Sequence, residues 1–235
     1  MPARIFFLML ISLNGFGQLR QQIEVGGGLG TLNYTGDLSR TYNFSFSRPA
    51  ATVFYRYNLS HVISLKTGFT FGSLAASDKT NPIDAAAGIR NASFKVSLAE
   101  LAPVFEYHFL DWRDARNKVK FTPYLFTGLG MFFFSRHKTN PSGASYSNVQ
   151  LSLPIGGGIK YVISPYWYVT AEFGIRKTFF DELDNVSGGL RSRKTVSGGQ
   201  YAFPFGNKYD LDNYFFLGFT LSHTFYQIPC ASAPY

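Results

Sequence analysis

Hydrophobic and polar residues alternate with a period of two along most of the chain after residue 17. Successive side chains of a β-strand point to opposite faces of a sheet, so this period predicts strands with one apolar face rather than helices. The pattern predicts eight strands, at residues 22–33, 48–57, 62–74, 92–109, 119–134, 149–163, 167–178 and from 212 onward.

The fourth predicted strand changes phase along its length. Phe94 and Leu98 are apolar at even positions, whereas from Leu101 onward the apolar residues lie at odd positions. One inserted residue turns every later side chain of a strand to the opposite face. The sequence therefore predicts a β-bulge near Ala99 and Glu100.

The connections between the predicted strands alternate in length. Four are long and three are short, and in chain order they cover residues 34–47, 58–61, 75–91, 110–118, 135–148, 164–166 and 179–211. Long loops at one end, with short turns and both termini at the other, are typical of bacterial outer-membrane barrels. We predict an all-β fold, an eight-stranded antiparallel transmembrane outer-membrane β-barrel with both termini in the periplasm.

Composition also indicates a lipid-facing surface and an exported chain. Aromatic residues make up 18% of the 235 residues and charged residues only 15%, whereas about 25% of a typical soluble domain is charged. After the first 17 residues no stretch reaches the roughly 18 consecutive apolar residues that a membrane helix needs. Residues 1–17, with Arg4 before an apolar run, resemble a cleavable signal peptide, which leaves residues 18–235 as one barrel domain.

The two faces of the predicted strands differ in charge. The face assigned to lipid is almost uncharged in the middle of the strands, because an Arg or Lys there would cost about 2–4 kcal/mol. The face assigned to the interior carries six charged residues, namely Glu24, Arg56, Lys66, Lys160, Glu172 and Arg176. An eight-stranded barrel encloses only enough space for its own side chains. We therefore predict interior ion pairs rather than a diffusion pore, with inward glycines making room for long side chains.

Candidate catalytic and metal-binding patterns are weak. The histidines lack metal-ligand spacing, and Gly26–Gly30 is not followed by a helix as a phosphate loop would be. Residues 181–185 lack the register of a calcium loop and are expected to be a solvated loop start. The net charge of +8 is scattered along the chain, which argues against nucleic-acid binding. We predict a non-enzyme without metal, cofactor or small-molecule substrate, and the single Cys230 forms no internal disulfide.

One catalytic alternative stays open at this point. Small barrels can act on lipid with a Ser–His–acid arrangement on the outer face near one rim. Ser135 and Ser152 are the candidate nucleophiles near His137, the one histidine placed on the long-loop side.

Short motifs spread along the chain carry a family resemblance. They are Tyr34–Leu38, Arg48–Pro49, Tyr55–Tyr57, Arg90–Phe94, Tyr124–Gly130, Ile175–Thr178 and Asp181–Ser187. Together they resemble the PorG-like outer-membrane proteins of Bacteroidetes. The resemblance implies a component of the type IX secretion system, which exports proteins across the outer membrane and in some species supports gliding motility. It also implies contact with a periplasmic ring lipoprotein and its associated subunit, and it brings no catalytic residues.

Two surfaces are candidates for binding. The short turn with Asp111, Trp112, Arg113 and Asp114 combines an aromatic residue, expected to be exposed, with mixed charge, which suits an interface with the periplasmic secretion proteins. The alternative is a stand-alone barrel for adhesion or envelope stabilisation, in which the long loop 179–211 binds the partner.

Overall fold

The computed structural model describes residues 22–80, 91–112, 119–135, 147–181, 183–184, 186, 191–196, 199–204 and 211–226. The predicted signal peptide, residues 1–17, and Cys230 lie outside these ranges. Within the part of the chain that is described, no helix is long and apolar enough to cross a membrane.

The described residues form eleven strands and one short 3₁₀ helix, Phe44–Phe46. The strands are β1 (Gln22–Thr35), β2 (Arg48–Asn58), β3 (Ile63–Ser77), β4 (Ser93–His108), β5 (Phe121–Gly128), β6 (Gly130–Phe134), β7 (Val149–Val162), β8 (Trp167–Thr178), β9 (Arg191–Val196), β10 (Gly199–Pro204) and β11 (Asn213–Tyr226). Strands β9 and β10 pair as a separate hairpin within the longest loop.

The other nine strands form one antiparallel sheet that closes into a ring. Neighbouring strands follow the order β3, β2, β1, β11, β8, β7, β5, β4, and the pairing of β3 with β4 closes the ring. Strands β5 and β6 both lie between β4 and β7, and only Leu129 separates them in the chain. They therefore occupy one strand position in the ring as a single interrupted strand. The ring is the predicted eight-stranded antiparallel barrel.

The connections keep the predicted alternation of length. We call the end that carries connections 36–47, 78–92, 135–148 and 179–212 the long-loop end. The opposite end, with connections 59–62, 109–120 and 163–166 and the strand ends Gln22 and Tyr226, is the short-turn end.

The bulge predicted in β4 is wrong. The ladder between β3 and β4 runs without an inserted residue from Ile63 opposite Tyr107 to Ser77 opposite Ser93, and every even residue of β4 is buried. The apolar residues change parity because the interior itself changes character. The inward side chains of β4 are apolar near the long-loop end, whereas Glu100, Glu106 and His108 follow towards the short-turn end.

Large apolar side chains stand exposed around the outside of the ring. They include Leu29, Val53, Leu65, Phe69, Leu101, Phe105, Leu125, Leu129, Met131, Leu151, Ile155, Ile159, Phe173, Phe219 and Leu221. Soluble monomers rarely expose a continuous apolar surface of this extent to water. The surface suits contact with hydrocarbon, as the alternating sequence pattern predicts.

Candidate functional site

The interior of the barrel between its middle and its short-turn end holds a single chain of alternating charges. In order, its members are Lys160, Glu24, Arg56, Glu106, Lys66, Glu172, Arg176 and Glu100, and each contacts the next as an ion pair. The negative charges of the four acids equal the positive charges of the four bases. Such pairing satisfies charges that would otherwise be costly to remove from water.

Arg56 is the central member of this chain. Its guanidinium contacts the carboxylate of Glu24 and lies 2.7 Å from that of Glu106, with both acids fully buried. Lys160 contacts the other oxygen of Glu24 at 3.0 Å, and Lys66 contacts Glu106 at 3.2 Å. Each of the two acids thus lies between two bases.

Hydroxyl groups and aromatic rings complete the interior chain. Ser222 donates a hydrogen bond to Glu24 at 2.5 Å, Tyr124 donates to Glu172 at 2.9 Å, and Tyr214 donates to Glu100. The ring of Phe126 lies 5.2 Å from the ammonium of Lys66. These contacts satisfy carboxylate oxygens and cations that the ion pairs leave open.

Inward glycines make room for long side chains, aromatic rings above all. A Cβ atom at Gly156 or Gly174 would lie 2.6 Å from the ring of Phe126, and one at Gly158 would lie 2.7 Å from the ring of Tyr124. The rings of β5 therefore lie over the glycines of the next strands, β7 and β8, at a distance that leaves no space for a Cβ atom.

Trp112 closes the short-turn end of the lumen. Its side chain is only 5% exposed, its ring lies 4.3 Å from the ammonium of Lys160, and it packs edge-on against Tyr168 at 4.8 Å. The exposure predicted for Trp112 is therefore wrong. Trp112 lies in a short connection, but its side chain turns into the barrel, where it contacts the ammonium of Lys160 and the ring of Tyr168.

An apolar cluster fills the interior at the long-loop end. It contains Leu32, Tyr34, Leu38, Phe46, Ala50, Leu74, Ala76, Phe94, Val96, Leu98, Phe132, Phe134, Leu183, Val186, Tyr214 and Phe216. Leu183 and Val186 belong to the connection between β8 and β11, so this loop contributes to the core.

Tyr34 joins this loop to the barrel wall. Its hydroxyl lies 2.6 Å from Asp184 and 2.5 Å from Asp212, and all three side chains are buried. Because a phenol carries one proton, the second short contact requires a proton on one of the carboxyls. Burial raises the pKa of both Asp184 and Asp212 well above the usual range, and the charge of Asp184 raises that of Asp212 further. Asp184 is thus a buried anchor, not the predicted solvated loop start.

Buried side chains occupy the described part of the lumen. Beside the charge chain lies a cavity of about 20 Å³, lined by residues that include Lys66, Glu100 and Arg176. That volume suffices for about one water molecule.

The short-turn end presents an ordered polar and aromatic surface. His61 and Asp111 join two connections through a contact of 3.0 Å and remain partly exposed. Tyr166 is exposed and stacks on His223 with ring centroids 6.0 Å apart. Tyr226 donates a hydrogen bond to the carbonyl of Pro165 at 2.5 Å, which ties the last described strand residue to this turn.

The structure places the predicted site residues as follows. All six interior charges, Glu24, Arg56, Lys66, Lys160, Glu172 and Arg176, are buried in the lumen. Of the predicted interface, Asp111 lies at the short-turn surface, while Arg113 and Asp114 lie outside the described residues.

The hydrolase arrangement on the outer face loses one of its candidates. Ser152 is only 1% exposed and lies on the interior face, so its assignment as an outer-face nucleophile is wrong. His137 lies outside the described residues. Among the residues described, no group of three or more His, Cys, Asp or Glu side chains could hold a metal ion.

Sequence reasoning missed two acids of the interior chain, Glu100 and Glu106. The alternation of the sequence does indicate Glu106. Phe105 and Tyr107 belong to the apolar odd positions after Leu101, which face outward, so the residue between them must face inward. Glu100 was missed because the supposed bulge obscured the parity of β4. The two acids give the four bases their counter-charges.

Comparisons with known proteins agree with this fold. The profile of a family described as Domain of unknown function (DUF6089) matches residues 3–234. The solved structure of the outer membrane protein OprG from Pseudomonas aeruginosa has a TM-score of 0.51 and 9% identity over 90% of this chain and 99% of that one. Neisserial surface protein A (NspA) has a TM-score of 0.50 and 12% identity over 87% and 97%.

A third structure is more distant. The attachment invasion locus protein Ail of Yersinia pestis, in complex with the heparin analogue sucrose octasulfate, has a TM-score of 0.46 and 11% identity over 88% of this chain and 100% of that one. A comparison with the curated proteins gave no match. The fold is that of small outer-membrane β-barrels.

Proposed function

From the premise that the chain belongs to the DUF6089 family, we propose that it is a non-catalytic outer-membrane component of the type IX secretion machinery. In this role it anchors the periplasmic ring lipoprotein and its associated subunit to the membrane. The packed interior is the observation that carries the proposal. Four acids and four bases are ion-paired in one part of the described interior, and an apolar cluster occupies the other part. Function then resides on the outer surfaces.

The proposed orientation places the short-turn end in the periplasm and the long-loop end outside. Short periplasmic turns and longer external loops are the rule for bacterial barrels of this kind. The motifs that resemble PorG-like proteins, from Tyr34–Leu38 to Asp181–Ser187, support the assignment to secretion. The apolar exterior supports residence in lipid.

The surface proposed to meet the periplasmic complex contains His61, Asp111 and Tyr166. His61 and Asp111 bridge two different connections, and their side chains are 51% and 36% exposed. Tyr166 adds an exposed ring that stacking on His223 holds in place. Ordered groups at the same end of the barrel, here an aromatic ring and a charged pair, lose little entropy on binding, as interface anchors require.

The experiment compares two sets of variants at opposite ends of the barrel. His61→Ala/Asp111→Ala/Tyr166→Ala removes the short-turn surface, and Lys79→Ala, in the turn after β3, is the control at the long-loop end. Each tagged barrel is extracted from the outer membrane and the co-purified ring proteins are measured. We expect the triple variant to recover far less of the ring and to secrete less type IX cargo, and the control to match the wild type. Undiminished recovery by the correctly folded triple variant would refute the anchoring role.

A second candidate function has its own observation. The β9–β10 hairpin, paired from Arg191 opposite Pro204 to Val196 opposite Gly199, gives the longest loop an ordered element. An external hairpin could serve adhesion. Replacing residues 188–207 with a short Gly/Ser linker should abolish cell attachment and leave secretion intact if adhesion is the role, whereas intact attachment removes this candidate.

A further inference from the structure

We propose that the outer wall at the long-loop end, where β2 and β3 separate, holds a site for a phosphorylated outer-leaflet lipid of the lipid A type. One acyl chain would occupy an apolar groove, and a headgroup phosphate would lie between Arg48 and Lys95. The inference rests on the orientation proposed above, with the long-loop end outward. It does not depend on any contact with the secretion machinery.

The groove arises from the backbone. Strands β2 and β3 pair only as far as Ala50 opposite Gly72, although β2 begins two residues earlier, at Arg48, and β3 continues to Ser77. The next residue of β2 is Pro49, which has no N–H to donate to a ladder. The two strands therefore separate towards the long-loop end, and the wall opens between them.

The walls and floor of this opening suit a hydrocarbon chain. The groove has a volume of about 450 Å³ and is lined by the large apolar residues Leu29 and Phe71 and by the small residues Ala51, Ser73 and Ser97. Leu29 and Phe71 are 73% and 56% exposed. A volume of this size lies within the range of roughly 300–1,000 Å³ found for ligand clefts.

A second cavity, of mixed polarity, continues the groove at the end of the strands. It measures about 240 Å³ and is lined by Arg48 and Lys95, by the hydroxyl residues Ser45, Ser77, Thr80 and Ser93, and by the apolar residues Phe46, Ala75, Ala76 and Phe94. Lys95 lines both spaces and therefore joins the apolar part to the polar part. Two cations surrounded by hydroxyl donors are a typical setting for a phosphate.

The charge of the site is unopposed within the part of the chain that is described. Neither Arg48 nor Lys95 takes part in an ion pair there, and no acidic side chain lines either space. Asp78, the acid of the adjacent turn, is buried and accepts a hydrogen bond from the amide of Ala92. As far as the described residues extend, both cations can thus contact an anion from outside the chain.

The height of Lys95 agrees with the level of lipid headgroups. Lys95 and Tyr107 both face outward on β4 and are twelve residues apart. This separation corresponds to about 40 Å along the strand, or about 30 Å along the axis of a barrel with the usual tilt. The apolar band of such barrels is about 25 Å tall. With Tyr107 at the short-turn interface, Lys95 reaches the opposite headgroup layer while the groove below it faces hydrocarbon.

The test measures lipid binding to the purified barrel in a neutral detergent. Wild type is titrated with lipid A, with phosphatidylglycerol, with phosphatidylethanolamine and with inorganic phosphate, and bound lipid is counted by native mass spectrometry. We expect one tightly bound lipid A. Arg48→Gln/Lys95→Gln should raise its Kd about tenfold or more, since two charge-assisted contacts are lost. The groove-filling variant Ala51→Phe should also weaken binding while the circular dichroism spectrum stays that of a folded barrel.

The matched control is Arg40→Gln/Lys177→Gln. It removes the same two charges at the same end of the barrel, and both residues are exposed and line neither space. We expect wild-type affinity from it. Equal losses in the two double variants would reduce the effect to net charge and overturn the site. Equal affinity for phosphatidylglycerol, or displacement of lipid A by inorganic phosphate alone, would overturn the assignment to lipid A. None of these readouts involves secretion, so the anchoring role can fail or hold independently.

Discussion

Replacing Arg56 with methionine should strongly destabilise the barrel while hardly changing side-chain volume. In the native protein Arg56 is 1% exposed and lies between the buried acids Glu24 and Glu106. Without it, four interior acids face three bases, and each of these two carboxylates keeps a single cation, Lys160 for one and Lys66 for the other. Removing one member of a buried ion pair costs about 3–5 kcal/mol. We expect the free energy of unfolding to fall by about that amount.

A neutral double variant separates charge balance from packing. Arg56→Met/Glu106→Gln restores three acids to three bases, and every remaining charge keeps a partner, because Glu24 retains Lys160 and Lys66 retains Glu172. The second substitution should therefore recover about 2 kcal/mol of the loss instead of adding to it, and such non-additive losses are expected only between residues in contact. The double variant and the two single variants, Arg56→Met and Glu106→Gln, are measured by equilibrium urea unfolding in detergent micelles, followed by tryptophan fluorescence.

Two results of this measurement would contradict the interior charge chain. One is a loss of less than about 1 kcal/mol in Arg56→Met, which is the range of exposed ion pairs. The other is a double variant whose loss equals the sum of the losses in Arg56→Met and in Glu106→Gln alone, because additive losses would show that Arg56 and Glu106 act independently.

Three further predictions follow from the two faces and the loop anchor. Leu65→Arg should impair insertion into lipid vesicles by about 2–4 kcal/mol, whereas the near-isosteric Thr70→Val, at an uncharged position on the opposite face, should insert like the wild type, and equal impairment would refute the face assignment. The wild-type barrel should show no steady conductance in planar bilayers, and a stable open channel would contradict the packed interior. The raised pKa values of Asp184 and Asp212 mean that loop anchoring is complete below their ordinary pKa of 3.8 and is lost as pH rises through the raised values. Protease cleavage of loop 179–212 should thus increase as the pH is raised above 3.8, and less so in Asp212→Asn, while identical pH profiles would exclude these carboxyls.

The strands and their faces could be predicted because they depend on local alternation. A transmembrane strand of an eight-stranded barrel must place apolar residues outward at every second position, so segments such as Ile63–Ser77 show their inward and outward faces directly in the sequence. The alternation of long and short connections then predicts that consecutive strands are antiparallel neighbours. These features need no knowledge of which distant residues meet.

Features that depend on distant contacts could not be predicted. Trp112 turns inward because its ring contacts the ammonium of Lys160 and the ring of Tyr168, two residues that are distant in the chain. Tyr34 meets two carboxyls that lie 150 and 178 residues further along. The alternation of the sequence cannot predict these contacts, because each of them forms only when the sheet closes into a ring.

The parity change in β4 shows how the same pattern can be misread. The outward face of β4 is apolar from Ala99 to Tyr107, but its inward face is also apolar from Phe94 to Leu98, since it packs into the apolar cluster. A strand whose apolar residues pass from the inward face to the outward face along its length imitates a bulge. The interior polarity of a barrel therefore has to be considered separately from its exterior when strand phase is assigned.

The same change of interior polarity determines how loop deletions should be interpreted. Leu183 and Val186 lie in the apolar cluster, and Leu183 also donates its amide to Asp212 at 2.8 Å. The beginning and end of the long loop are consequently part of the barrel core, and removing them would disturb folding. A replacement of residues 188–207 keeps these anchors and removes only the segment that bears the β9–β10 hairpin. Loss of attachment in that variant would then report on the hairpin itself, because the contacts that close the long-loop end remain in place.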